Sequence, residues 1–339
     1  MKSYFLYSSI AFFLGLVISI FLEPKFLIGN TIFSYLSYTL LAIGLFGAVS
    51  GIDLSELSRI KKSVFLVVTL GVIIKILFIG SILFLIMGNI VSYLLACIVA
   101  QIDPLAIAKL TENPKSKLSP KAKSLLNVWA SFDDPMTVLL AFYILLPLVS
   151  ANKVSFSIYF LNLGLNILFA LTVYLLKKIS NNPKYQLVLV ILSFIISISF
   201  NLMFGIALIA LFLRPDIEFF KVNFQGVVSR AVNACYYISA AILGIIVSVG
   251  ADLKLGIVLG VSAFLAQILV TYVLLSDFSK TDKLMLSLSQ FNGITSIILS
   301  SLIVIYYDQT FAIVSIAILT ILFLYFSSNK LLESYLNKR

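Results

Sequence analysis

The chain contains no histidine and only two cysteines, and Asp, Glu, Lys and Arg together make up just 11% of its 339 residues. Each shortage narrows the chemistry. Without imidazole the usual proton carrier near neutral pH is missing. Proton chemistry then falls to carboxylates or to a lysine, whose neutral forms burial favours. Cys97 and Cys235 fall in separate predicted helices and read as buried structural thiols. A transition-metal site therefore lacks its usual ligands. Any long polar segment is also missing. The longest polar connection is roughly Thr111–Lys121, which leaves no room for a nucleotide-binding fold and speaks against transport driven by ATP.

What is present is apolar: 61% of the residues are hydrophobic and the mean hydropathy is +1.12. That composition, in long continuous runs rather than short alternating ones, describes an all-α polytopic membrane protein and not a β-barrel. Twelve runs read as helices: 4–22, 30–50, 63–87, 91–110, 122–149, 155–177, 185–199, 201–214, 227–249, 254–275, 284–306 and 309–328. The seventh and eighth are parted only by an uncharged turn near Asn201, so one re-entrant or tilted stretch is the alternative there. The first run follows Lys2, is longer than a signal-peptide core, and reads as a retained span.

The net charge of +10 does not indicate nucleic acid, because the basic residues sit in the loops. With both termini cytoplasmic, Lys75 lies inside a span. Of the remaining 23 Lys and Arg residues, only Lys25, Lys153 and Lys254 fall on the far side. This is a strong positive-inside bias and predicts an integral membrane protein with cytoplasmic termini, in a cell inner membrane.

Against this background, Asp133 and Asp134 stand side by side in the fifth run. A carboxylate near the bilayer centre costs about 2.5–3.5 kcal/mol on insertion scales. Two adjacent ones are expected only where they bind a cation, carry a proton, or both. Run four is broken at Ile102-Asp103-Pro104, since proline removes a donor and forces the preceding residue out of the helix. Run eleven carries Gln290-Phe291-Asn292-Gly293 at its centre, a second plausible interruption. Irregular backbone at membrane depth is tolerated where it lines a cavity. The two breaks lie seven spans apart, so runs 3–5 and 10–12 could be inverted copies of one unit, with half-helix ends facing a shared ion site. Lys75 lies too deep in run three to reach water easily, and is expected to pair with Asp133 or Asp134 unless it snorkels through a wet cleft. The intramembrane amides Gln267, Asn127, Asn162, Asn166 and Asn233 suit helix–helix hydrogen bonds, with Gln267 best placed to touch the core site.

Gln101-Ile102-Asp103-Pro104, a basic loop, then Leu125-Leu126-Asn127 through Ser131-Phe132-Asp133-Asp134 resembles the sodium/proton exchanger domain of the monovalent cation:proton antiporter superfamily. Gly51-Ile52-Asp53-Leu54 with Glu56 and Arg59, and Phe291-Asn292-Gly293-Ile294-Thr295-Ser296, resemble other segments of that family. The resemblance implies an inverted-repeat fold with interrupted helices 4 and 11. Its division would be scaffold and dimerisation helices at 1–62, core transport helices at 63–150, scaffold and linking helices at 151–250, and core helices at 251–339. It implies Asp134 as the essential ion-binding carboxylate, Asp133 as its partner and Asp103 in support. It also implies a homodimer with no resident cofactor. The departures are Ile102 where the family has Thr, Asn292 where Arg is common, Pro135 directly after the acid pair, and no lysine in helix ten. The last leaves the coupling ratio open.

The residues imply the same chemistry. Two adjacent carboxylates in a low-dielectric site need a counter-charge, which a proton or a desolvated Na⁺, Li⁺ or K⁺ supplies. Asp133, Asp134, Ser131, Thr137 and broken-helix carbonyls offer the oxygen ligands that hard cations prefer. Successive helical residues point about 100° apart, so both acids need not face the ion. The expected function is exchange of a monovalent cation for protons. The alternatives are a Na⁺-coupled organic-anion symporter on a related fold, for which only Lys75 could contact the anion, or a membrane-embedded aspartate enzyme, which adjacent acids fit poorly.

Overall fold

In the computed structural model, residues 2–21, 30–52, 60–112, 116–149, 156–219, 222–304 and 306–337 are described. Asp53, Leu54, Glu56 and Arg59 lie outside them, as do the loop lysines 25, 115, 153 and 221 and the terminal Lys338 and Arg339.

Each of the twelve apolar runs contains helix, continuous in most and interrupted or shortened in runs four, eight and eleven. They form α1 (Lys2–Phe21), α2 (Thr31–Ser50), α3 (Lys61–Met87), α4a (Val91–Val99) with α4b (Pro104–Thr111), α5 (Pro120–Val149), α6 (Phe156–Lys177) and α7 (Pro183–Phe200). There follow α8 (Met203–Ala210), α9 (Phe224–Val247), α10 (Leu253–Leu274), α11a (Lys280–Ser287) with α11b (Ile294–Ile303), and α12 (Thr310–Asn337). A two-residue antiparallel pair, β1 (Glu218–Phe219) with β2 (Val222–Asn223), closes the loop before α9. Among the described residues, nine helices are long and apolar enough to cross a bilayer, counting α4 across its break. The chain is an integral membrane protein with an all-helical architecture.

Local chemistry sets the boundaries. Asn30, Asp103, Ser119, Asn182, Asn223, Asp252 and Ser279 each accept a backbone N–H of the first turn of α2, α4b, α5, α7, α9, α10 and α11a. Asn201 takes a left-handed conformation (φ 56°) and ends α7, where the uncharged turn was expected. The eighth run departs from expectation. Only Met203–Ala210 is α-helical, and eight residues at 1.5 Å each cover about 12 Å, too little to span by itself. Its small residues let α8 nest between α2 and α6, and Asn166 of α6 accepts the Gly205 N–H at 2.7 Å.

Two groups of helices result. α1 lies along α9, and α8 joins α2 to α6. The α1–α9 crossing is close: a Cβ on Gly15 would sit 2.0 Å from the Ala241 carbonyl oxygen, and one on Gly244 2.1 Å from that of Phe12. In the other group α3 packs on α4a and α10, and α10 packs on α12. Both α5 and α11b lean against α2, so Asp134 and the second break face the seam between the groups. Within the first group, the Arg214 guanidinium donates to the carbonyls of Val49, Ile52 and Ala210, capping the end of α2 and tying it to the end of α8.

Candidate ion site at two broken helices

The α4 break, Ala100–Asp103, and the α11 break, Leu288–Gly293, face one another, and their unpaired backbone is satisfied across the crossing. The Asp103 N–H donates to the Phe291 carbonyl at 2.8 Å. Gln290 Nε2 donates to the carbonyls of Val99 and Gln101 at 2.9 and 3.0 Å. Asn292 Nδ2 donates to the Val99 carbonyl at 3.0 Å and to Ser296 Oγ at 2.7 Å. Two amides therefore cap the carbonyl end of α4a, where the helix dipole is negative. Gln101 returns the link by donating to Ser296 Oγ, and accepts from Thr137 of α5.

Asp103 occupies the opposite pole. Its carboxylate accepts the N–H groups of Leu105 and Ala106 at the start of α4b. It also abuts the start of α11b, where a Cβ on Gly293 would fall 2.3 Å from the Asp103 carboxyl carbon. Glycine is required there, because any side chain would displace the acid. One carboxylate thus faces the positive ends of two half-helices.

Asp133 and Asp134 diverge on α5, as the helical pitch demands. Asp134 lines a cavity of about 310 Å³ together with Asp103, Ser131 and Thr295. Thr295 Oγ1 donates to Asp134 Oδ2 at 2.9 Å. Pro135 offers no N–H, so the Ser131 carbonyl lacks its usual helical donor. The cavity widens past Asn127 and Thr111, which are hydrogen-bonded to each other, towards the ends of α2 and α4b and the start of α9, where Glu112 stands exposed. Asp133 is fully buried and lies outside the cavity lining. Its Oδ2 accepts from Lys75 Nζ at 2.9 Å. Lys75, equally buried, also donates to the Ala100 carbonyl at 2.6 Å and sits 5.2 Å from the centre of the Trp129 ring.

The remaining expected residues lie around this core, and several of them do not reach the cavity. Ile102 is fully buried within the α4 break and presents no ligand atom in its side chain. Thr137 is turned inward to Gln101 and to the Asp134 carbonyl, and does not line the cavity. Asn292 serves the crossing, as described. Gln267 does not reach the acids. It donates to the Leu286 carbonyl at the end of α11a, because its position on α10 faces the nearer half-helix. Asn162 and Asn166 join α6 to Tyr143 of α5, whereas Asn233 bonds within its own helix to Ser229. Thr295, Gln101 and Gln290 stand in the motifs read from the sequence, but no role was expected of them individually. Their signal was a hydroxyl or amide within two residues of a break. The sequence reading missed Asp282, which accepts from Ser119 and Ser279 and so ties the starts of α5 and α11a together.

No protein-family model and no curated protein matches the sequence. Solved structures do match. The structure of the sodium proton antiporter MjNhaP1 from Methanocaldococcus jannaschii at pH 8 superposes with a TM-score of 0.70 at 19% identity, covering 94% of this chain and 89% of that one. An electron-microscopy map of the same protein gives 0.56 at 17% identity, covering 99% and 96%. The chain shares the fold of that antiporter. At such low identity the likeness concerns architecture. Within this antiporter fold the roles of single residues rest on the chain's own geometry.

Proposed function

We propose that the chain is a secondary transporter that exchanges a monovalent cation, Na⁺ or Li⁺ with K⁺ also a candidate, for protons. The observation that carries this reading is the placement of Asp134. It is the one acid of the adjacent pair that reaches the cavity, and it sits beside Ser131, Thr295 and Asp103 at the crossing of two broken helices. A carboxylate there requires a counter-charge, and a proton and a cation compete to provide it. Asp103 holds the two half-helix starts together beneath the ion, and Ser131 adds oxygen ligands.

The 63–150 and 251–339 segments form the moving core, an inverted pair of three-helix units. Segments 1–62 and 151–250 form the scaffold and, in a homodimer, the partner face. With both termini cytoplasmic in an inner membrane, the cavity opens inward. A separate hollow of about 230 Å³, lined by Tyr38, Val138, Tyr159, Leu302 and Tyr306, would then face the outer side. Rocking the core against the scaffold would open that side and close the inner one.

The test is proton flux in proteoliposomes carrying a pH-sensitive dye. Adding Na⁺, Li⁺ or K⁺ should drive protons in the opposite direction. The apparent KM for the cation should rise as pH falls, since protons occupy the same carboxylate. A chain through which no cation moves protons is not an exchanger.

A further inference from the structure

Resting on that reading, we infer that Asp282 is a positioning residue for exchange: it fixes the starts of α5 and α11a to one another, so that the helix carrying Asp134 and the helix carrying the second break move as a pair. Asp282 is buried, and its carboxylate takes donors from both helix starts. Oδ1 accepts the Ser119 N–H at 2.9 Å, and Oδ2 accepts the hydroxyls of Ser119 at 3.0 Å and of Ser279 at 2.8 Å. Ser119 and Ser279 are the caps of α5 and α11a. Each hydroxyl in turn accepts a backbone N–H of its own helix, from Ala122 at 3.2 Å and from Asp282 at 3.0 Å. One acid thus closes a knot with two helix starts, whose dipoles favour negative charge. Beside it, Lys121 Nζ of α5 lies 4.5 Å from the centre of the Phe278 ring, just ahead of α11a.

The place of the knot gives it this role. The two three-helix units also meet where α4 and α11 cross, through bonds between the backbone breaks. Two elements joined at a single crossing can still pivot about it. A second joint away from the crossing removes that freedom. Ser119 lies about 22 Å along α5 from Asp134, at 1.5 Å per residue. A slip of α11a at this end would therefore tilt the break and Thr295 against Asp134. The joint is also strong for its size, because hydrogen bonds to a carboxylate are about twice as strong as neutral ones. Asp282 does not line the cavity, so its effect on exchange runs through the placing of α5 and α11.

The experiment compares turnover per intact site in proteoliposomes for the wild type, for Asp282→Ala, and for Ser119→Cys combined with Asp282→Cys, a pair in side-chain contact that a disulfide can join. Cys97 and Cys235 are buried and stay out of the reaction. Intact sites are counted as protons released when Na⁺ or Li⁺ binds in detergent. Asp282→Ala should keep that release and the apparent KM for the cation, while turnover per site falls about tenfold, a loss that misplacement far from the reacting groups can cause. The cysteine pair should be equally slow when reduced, and should regain most of the wild-type turnover when oxidised. Wild-type turnover in Asp282→Ala would overturn the inference. So would a fall in released protons that matches the fall in flux, which would mean lost sites rather than lost positioning. An oxidised pair that stays slow, or that stops flux until reductant is added, would show that the two starts need not be joined or must part, and would overturn it as well. Should Asp282→Ala not fold, the oxidised pair against the reduced one decides alone. A wild-type chain without cation-driven proton flux would overturn the exchange reading itself, and this inference with it.

Discussion

The units α3–α5 and α10–α12 perform the same backbone task with opposite chemistry. In each, a side chain from the leading helix donates to a carbonyl at the end of the first half of the broken helix. In α3 the donor is Lys75, to Ala100. In α10 it is Gln267, to Leu286. The first unit is charged, with Lys75, Asp103, Asp133 and Asp134 all inside it. The second has no ionisable Asp, Glu, Lys or Arg between Leu255 and Ser276 or between Leu284 and Tyr307. It contributes dipoles instead: Gln290 and Asn292 to α4a carbonyls, Thr295 to Asp134, and the bare start of α11b to Asp103. The lesson is a division of labour. One unit holds the buried charge, and the other holds oriented neutral groups that need no counter-charge.

Substitutions can break or sharpen this contrast. The largest effect is expected for Asp134→Asn, which removes the carboxylate proposed to exchange the two ions. Cation-driven proton flux in proteoliposomes should vanish while thermal unfolding of the purified protein changes little. Next comes Lys75→Met. It leaves Asp133 buried without a partner, at a cost of about 3–5 kcal/mol, read as a lowered unfolding midpoint. Adding Asp133→Leu should restore most of that loss. Gly293→Ala in the neutral unit should cost about 1–3 kcal/mol, because the new methyl must displace the Asp103 carboxyl; slower turnover should accompany the lower midpoint. The smallest effect is expected for Gln267→Leu, which removes a single neutral hydrogen bond, about 1 kcal/mol. If Gln267→Leu proved as damaging as Lys75→Met, the contrast between charged and neutral units would fail.

Much of this arrangement was legible in the sequence, and the reasons differ by residue. The spans could be read because burial in lipid demands long apolar runs, and the α4 break because proline leaves no choice at Asp103. The depth of Lys75 pointed to an acid partner, with a wet cleft as the alternative. Which acid it finds was not legible. Asp133 and Asp134 are neighbours in sequence, and only the rotation of α5 about its axis sends one to α3 and the other to the cavity. The short α8 was hidden for a similar reason, since run 201–214 is apolar throughout while helix length is decided by the turn at Leu211 and Phe212. The partners of Thr295 and Gln290 were equally illegible. Small polar residues beside a break become ligands or caps only when the other broken helix is brought against them, and no local pattern encodes that crossing.

The claim on which the account depends is that a cation and a proton contend for the Asp134 carboxylate. Titrating Na⁺ or Li⁺ into the detergent-solubilised protein at weak buffering, with a pH indicator, measures this directly. The account predicts proton release that saturates with cation binding, disappears in Asp134→Asn, and survives in the Lys75→Met, Asp133→Leu double variant. Cation binding without proton release, or release that persists in Asp134→Asn, would contradict it.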